Sequence, residues 1–168
     1  MDAGLFLARV TLGLLMAAHG SQKLFGWFGG YGLSATAGFL EGIGFRPGRL
    51  FATAAALAEF GGGLLFALGL FHPIAAALIV SVMIVAAVSV HWSNGLFSMT
   101  NGIEVPLLYG VAAAALALTG PGAISLDAAL GFTALWTPAV IWGALAIGVA
   151  GGTANLALRR PLTQAAAA

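Results

Sequence analysis

The chain has 168 residues, of which 61% are hydrophobic and 7% charged, with a formal net charge of +1. Soluble domains carry about 25% charged residues, so these few charges cannot cover a water-exposed surface, and disorder, which needs low hydrophobicity and high net charge, is excluded as well. Six basic and five acidic residues leave no basic face for nucleic acid, and the absence of cysteine removes disulfides, thiolate nucleophiles, iron–sulfur clusters and cysteine-based zinc sites. With a mean hydropathy of +1.04, the sequence reads as a single membrane domain over residues 1–168.

A helix needs about 20 apolar residues to cross about 30 Å of hydrocarbon. Five stretches qualify: 5–27, 50–71, 74–92, 103–119 and 132–158. They are continuous and rich in Ala, Leu and Gly, without the alternation of barrel strands. The expected fold is therefore all-α, a polytopic transmembrane helix bundle. The first stretch reads as a retained span, since it lacks a basic leader region and carries charges inside its apolar run.

Between the first two spans, 28–49 opens on Gly29-Gly30-Tyr31-Gly32 and mixes Phe39, Leu40, Ile43 and Phe45 with Glu41, Arg46 and Arg49. It reads as an interfacial or re-entrant segment packed on the bundle, with Ser34 as the expected cap of a helix from Ala35 to Glu41. His72-Pro73 marks a tight turn between the second and third spans, and Gly120-Pro121-Gly122 closes the fourth. Arg46 and Arg49 flank the first connection and Arg159 and Arg160 follow the last span, so the basic clusters fall on one side. This predicts the N-terminus outside and the C-terminus inside, with Arg9 weighing the other way.

Ionisable residues inside spans are expensive and normally face the protein interior. At 100° per residue, Arg9, Met16, Lys23 and His19 fall on one face of the first span within an arc of about 80°. Arg9 and Lys23 lie near opposite ends, where snorkelling to the two interfaces accounts for both equally well. Glu59 sits mid-span before Gly61-Gly62-Gly63, which let a helix or ligand approach the backbone. A carboxylate at that depth requires a cation or its own proton, and Lys23, His19 and Arg9 are the candidate partners. A buried ion pair fixing helix register and a ligand or proton site are both open readings.

His91 and Trp92 end the third span, and Glu104 opens the fourth at a helix N-terminus, where the dipole favours its charge. Trp92 also suits the interfacial belt. Ser125 and Asp127 look like a turn and cap. His19 and His91 could ligate haem as a pair, but single histidines without a paired pattern make this the weaker reading. His19, Glu59 and His91 suit a metal by ligand type, yet their spacing carries no metal signature, so no metal is assigned. No nucleophile triad or phosphate loop is present, since the glycines at 26–32 follow a span and no strand.

The string HGSQKLFGWFGGYGL at 19–33 resembles the signature of the DoxX family. The similarity continues in family order through AEFGGGLLFALGL at 58–70, HWSNGLF at 91–97, NGIEVPLL at 101–108 and GPGAISLDAAL at 120–130. The resemblance implies a small multi-pass protein of the bacterial inner membrane with a four-helix core. It also implies a redox or oxidative-stress setting, since members resemble the DoxD subunit of thiosulfate:quinone oxidoreductase, and mycobacterial members are associated with a membrane oxidoreductase complex. The stretch 132–158 departs from the four-span pattern as a fifth, C-terminal span.

The leading expectation is the membrane subunit of a quinone-linked oxidoreductase, with Glu59 and His19 as catalytic groups. His19, Lys23, Glu59, His91, Trp92 and Glu104 are then the quinone-binding residues. Quinone reduction takes up two protons, so a protonatable Glu or His beside the ring is what the chemistry needs. No electron carrier is visible in the chain, so a soluble or peripheral redox partner is expected, in addition to the lipid bilayer. Whether the chain is itself an enzyme stays open. The alternatives are a non-catalytic anchor or scaffold for a soluble partner, and a small-molecule or ion transporter. At this size the transporter would require a homo-oligomer.

Overall fold

A computed structural model of the chain describes residues 2–160, and these contain helices and no strand. The helices are α1 (Asp2–Phe25), α2 (Gly32–Gly42), α3 (Gly48–Leu68), α4 (His72–Ala86), α5 (Glu104–Thr119), α6 (Leu126–Ala129) and α7 (Pro138–Ala157). A π-helical turn at Ala87–His91 and a 3₁₀ turn at Trp92–Asn94 prolong α4. Four stretches are long and apolar enough to cross a membrane: Asp2–Phe25, Gly48–Leu68, His72–Asn94 and Pro138–Ala157. The 16 residues of α5 are apolar but shorter, reaching about 24 Å at 1.5 Å per residue.

Glycine sets the packing of α1 on α3. A methyl group on Gly13 would strike the backbone of Gly63 and Ala67, and one on Gly20 the backbone of Phe60. The two helices therefore run antiparallel with their backbones touching. The chain reverses at Gly69, left-handed at φ 64° with its N–H donating to Phe66 O, and restarts at His72 with Pro73 in the first turn. Helix α4 occupies the middle of the bundle, with Ala75, Ala76 and Ile79 fully buried. Helix α7 lies alongside it in the same direction, because Gly148 abuts Ala77 and Gly152 abuts Ser81.

The bundle has two ends. The first carries Asp2, the α3–α4 turn and residues 120–137, and the second carries residues 26–47, 92–103 and the end of α7. At the second end α2 packs on α3 and α1. It begins at Gly32, two residues ahead of Ser34, with no side-chain cap. The expected Ser34 cap is thus replaced by a run of left-handed glycines, Gly29 at φ 77° and Gly32 at φ 77°, that turn the chain directly into the helix. Within 132–158, residues 132–135 form a separate 3₁₀ turn. Thr137 then caps α7 by accepting from Val140 N.

The first end is sealed by two buried charges. Arg9 is 1% exposed. Its Nη1 donates to Phe66 O at 3.1 Å and Ala67 O at 2.5 Å, and its Nη2 donates to Ile124 O at 2.6 Å. A cation thus sits on the carbonyls that end α3, where the helix dipole is negative. Asp127 mirrors it at the start of α4, accepting from Phe71 N at 2.8 Å, His72 N at 2.9 Å and Trp136 Nε1 at 2.8 Å. Each charge meets the orphan backbone groups of one helix terminus. Snorkelling is excluded for Arg9, because Phe66 O, Ala67 O and Ile124 O hold both of its terminal nitrogens inside the protein, with Nε left unpartnered. Ser125 caps α6 as expected, accepting from Ala128 N.

Candidate functional site

Glu59 is buried on α3, at 2% exposure. Lys23 Nζ on α1 donates to its Oε1, and this is the ion pair found among the described residues. The antiparallel register explains the choice of partner. The close approach of Gly20 to Phe60 places Lys23, nearly one turn beyond Gly20, against the residue that precedes Phe60. Arg9 lies about 21 Å along α1 from Lys23 and is occupied at the opposite end. The second carboxylate oxygen, Glu59 Oε2, is buried without a hydrogen-bond partner.

Glu59 borders a cavity of about 110 Å³ between α1, α3, α4 and α5. His19, Lys23, Glu59, His91 and Tyr109 supply its polar lining, and Met16, Met83 and Pro106 are among its apolar residues. It is somewhat smaller than the cavity of about 150 Å³ known to hold benzene. His19 is exposed and meets the Tyr109 ring edge-on, with centroids 5.9 Å apart. The π turn lies where His91 enters the cavity, and such turns insert one residue and recur at functional sites. His91 Nδ1 donates to Asn101 O at 2.7 Å, which fixes the ring and leaves Nε2 as its acceptor when neutral.

The cavity thus gathers His19, Lys23, Glu59 and His91 from three helices. Trp92 and Glu104 lie outside it. Trp92 is 67% exposed on the loop beyond His91. Glu104 turns away to accept from Ser98 N at 2.7 Å in the turn ahead of α5, whose own N-terminus has no side-chain cap. Tyr109 went unnoticed in the sequence; its signal was a phenol in an apolar run, four residues from the Val105 that shares the cavity. Among the described residues, no three His, Asp or Glu side chains converge as metal ligands would.

A second, apolar groove of about 260 Å³ runs between α4 and α5, lined by residues such as Val80, Ile84, Leu107 and Val111. Met83 and Pro106 border both spaces. A small polar chamber therefore adjoins a longer hydrocarbon groove on the membrane-facing side of the bundle. Chemically, the chamber offers a cation, two imidazoles, a phenol and a carboxylate oxygen free to accept, enough to orient a compact polar ring and exchange protons with it.

The fold and site define a multi-pass helical membrane protein with a polar chamber inside its bundle. The DoxX family model matches residues 4–92, more than half of the chain, and the chain belongs to the DoxX family. The match takes in His19, Lys23, Glu59 and His91, while α5 and α7 lie beyond it. No curated protein matches the chain, and no solved structure does.

Proposed function

We propose that this DoxX-family protein is the membrane subunit of a quinone-linked oxidoreductase, in which the chamber around Glu59 receives the quinone ring. The observation that carries this reading is the unpartnered Glu59 Oε2, buried beside a lysine and two imidazoles and free to hold the proton that a quinone carbonyl takes up, in a space that shares Met83 and Pro106 with an apolar groove. A quinone supplies two-electron, two-proton chemistry, has two carbonyls that need donors, and trails an apolar chain. Lys23 and His19 would donate to the carbonyls, Tyr109 would flank the ring, and the α4–α5 groove would take the tail. Glu59 and His19 would deliver protons, with Lys23 holding the carboxyl in place through Oε1. Electrons come from a soluble or peripheral redox partner. The setting is the bacterial inner membrane, N-terminus outside, supported by the placement of Arg46, Arg49, Arg159 and Arg160 at one end of the bundle.

The test is binding of a ubiquinone or menaquinone analogue to the purified protein. Glu59→Gln is expected to weaken it about tenfold or more, because Lys23 loses the charge-assisted hydrogen bond that holds its ammonium in the chamber. Absence of binding, or equal binding by Glu59→Gln, overturns the proposal. Should Glu59→Gln and His19→Ala also leave recovery of a partner protein intact, the anchor reading takes its place.

A further inference from the structure

A separate cavity of about 250 Å³ lies on the other side of α3, between α2, α3, α4 and α7. Leu40, Phe45, Ala54 and Val85 are among its apolar residues, and Ser81 and Asn155 are its polar ones. It shares no residue with the chamber around Glu59. Three of its walls, α3, α4 and α7, are spanning helices, so what fills it from outside is hydrocarbon. A bare hydrocarbon chain does not explain its rim, however.

The rim lies at the second end, where α7 meets the turn between α2 and α3. Arg159 Nε donates to Ile43 O at 2.6 Å, and Arg160 N donates to Gly44 O at 2.9 Å. These bonds bring Arg159 and Arg160 beside Arg46, which follows the cavity residue Phe45. Arg49 stands one turn further, two residues before the cavity residue Phe51. All four arginines are exposed, and among the described residues none has a carboxylate within ion-pair distance. The nearby Glu41 accepts from Gly48 N at 2.8 Å. Asn155 sits one turn below Arg159 on α7, about 6 Å deeper along the axis. Its Nδ2 donates to Gly151 O at 2.9 Å, which leaves Oδ1 and the mouth of the cavity at the depth where a lipid's glycerol backbone lies beneath its phosphate.

We infer that this cavity is a binding site for one anionic phospholipid, with an acyl chain between α2 and α7 and the phosphate among Arg46, Arg49, Arg159 and Arg160. Basic pockets between helices at the cytoplasmic face recognise acidic headgroups in this way. A zwitterionic lipid fits the apolar part equally well but gains far less from four guanidinium groups that have no carboxylate partner among the described residues.

The full chain in neutral detergent is mixed with phosphatidylglycerol, with phosphatidylcholine of the same chains, or with glycerol 3-phosphate. Retention of one lipid is read by native mass spectrometry, and stabilisation by the melting temperature. Phosphatidylglycerol is expected to be retained at least about tenfold more tightly than phosphatidylcholine. The preference should fall roughly fivefold for each of Arg46→Gln and Arg159→Gln. Ala54→Phe fills the cavity from the exposed side of α3 and should abolish retention of both lipids, and the smaller Ala54→Leu should weaken it with the fold intact. Equal retention of the two lipids overturns the inference. So does retention unchanged by the Ala54 variants, or glycerol 3-phosphate matching the intact lipid, since each places the binding on the surface arginines alone.

Discussion

Arg9 and Glu59 are both buried charges in an apolar bundle, yet they are neutralised differently. Arg9 has three backbone carbonyls and no carboxylate, whereas Glu59 has the ammonium of Lys23 on one oxygen and nothing on the other. Each keeps one buried atom without a partner, Arg9 Nε and Glu59 Oε2, but Glu59 lines the chamber and Arg9 does not. Removing Lys23 as Lys23→Met leaves Glu59 without a cation. Because Lys23 is itself 33% exposed, the expected loss is about 2 kcal/mol, below the 3–5 kcal/mol typical of fully buried pairs. The double variant Lys23→Met/Glu59→Gln should regain about half of that loss, and thermal melting of the four proteins in detergent closes the cycle. Strictly additive losses would show that the pair carries no coupling. The depth of Glu59 and the shared face of Arg9, Lys23 and His19 were readable from composition and helical spacing. The choice between Lys23 and Arg9 as partner was not, since it depends on how far α3 slides along α1.

That slide belongs to the elements. Of the three consecutive glycines on α3, Gly63 touches the backbone of Gly13 and Ala17, a methyl group on Gly62 would meet the Leu78 side chain at 3.1 Å, and Gly61 faces open space. Gly63→Ala should push α1 and α3 apart and cost about 1–3 kcal/mol, while Gly61→Ala should be neutral or gain up to about 1 kcal/mol from helix propensity. Chemical or thermal unfolding compares the two, and equal effects would contradict the close packing described here. The glycine triplet announced a close approach, and the apolar runs announced the spanning helices, because both rest on local composition. The π turn that ends at His91 was hidden, because a π turn has no side-chain signature of its own, whereas the expected stretch 103–119 differs from α5 by one residue.

Across the whole molecule, exposed arginines gather at one end. Arg46, Arg49, Arg159 and Arg160 stand there, with Glu41 and Glu104 bound to backbone N–H groups nearby, while Asp2 and Asp127 stand at the other end with Arg9 enclosed. The proposed orientation places the arginine end in the cytoplasm. The natural absence of cysteine makes this directly measurable with single-cysteine variants. Thr133→Cys should react with a membrane-impermeant maleimide on intact cells. Met99→Cys, at a residue 97% exposed on the opposite end, should react only after the membrane is opened. The reverse pattern would invert the orientation. The basic clusters were legible in the sequence, but their gathering around one cavity mouth was not, because 43–46 and 159–160 lie more than 100 residues apart and meet through the docking of α7.

The two charges that seal the α3–α4 turn also set a schedule for synthesis. Arg9 is in place from the first span, so α3 finds the cation for its C-terminus as soon as it enters the membrane beside α1. The N-terminus of α4 must wait, because Asp127 emerges 55 residues after His72. Until then the hairpin stands in the bilayer with one helix end finished and the other bare. Asp127 and Trp136 thus tie the final third of the chain to the turn between two spans made long before it.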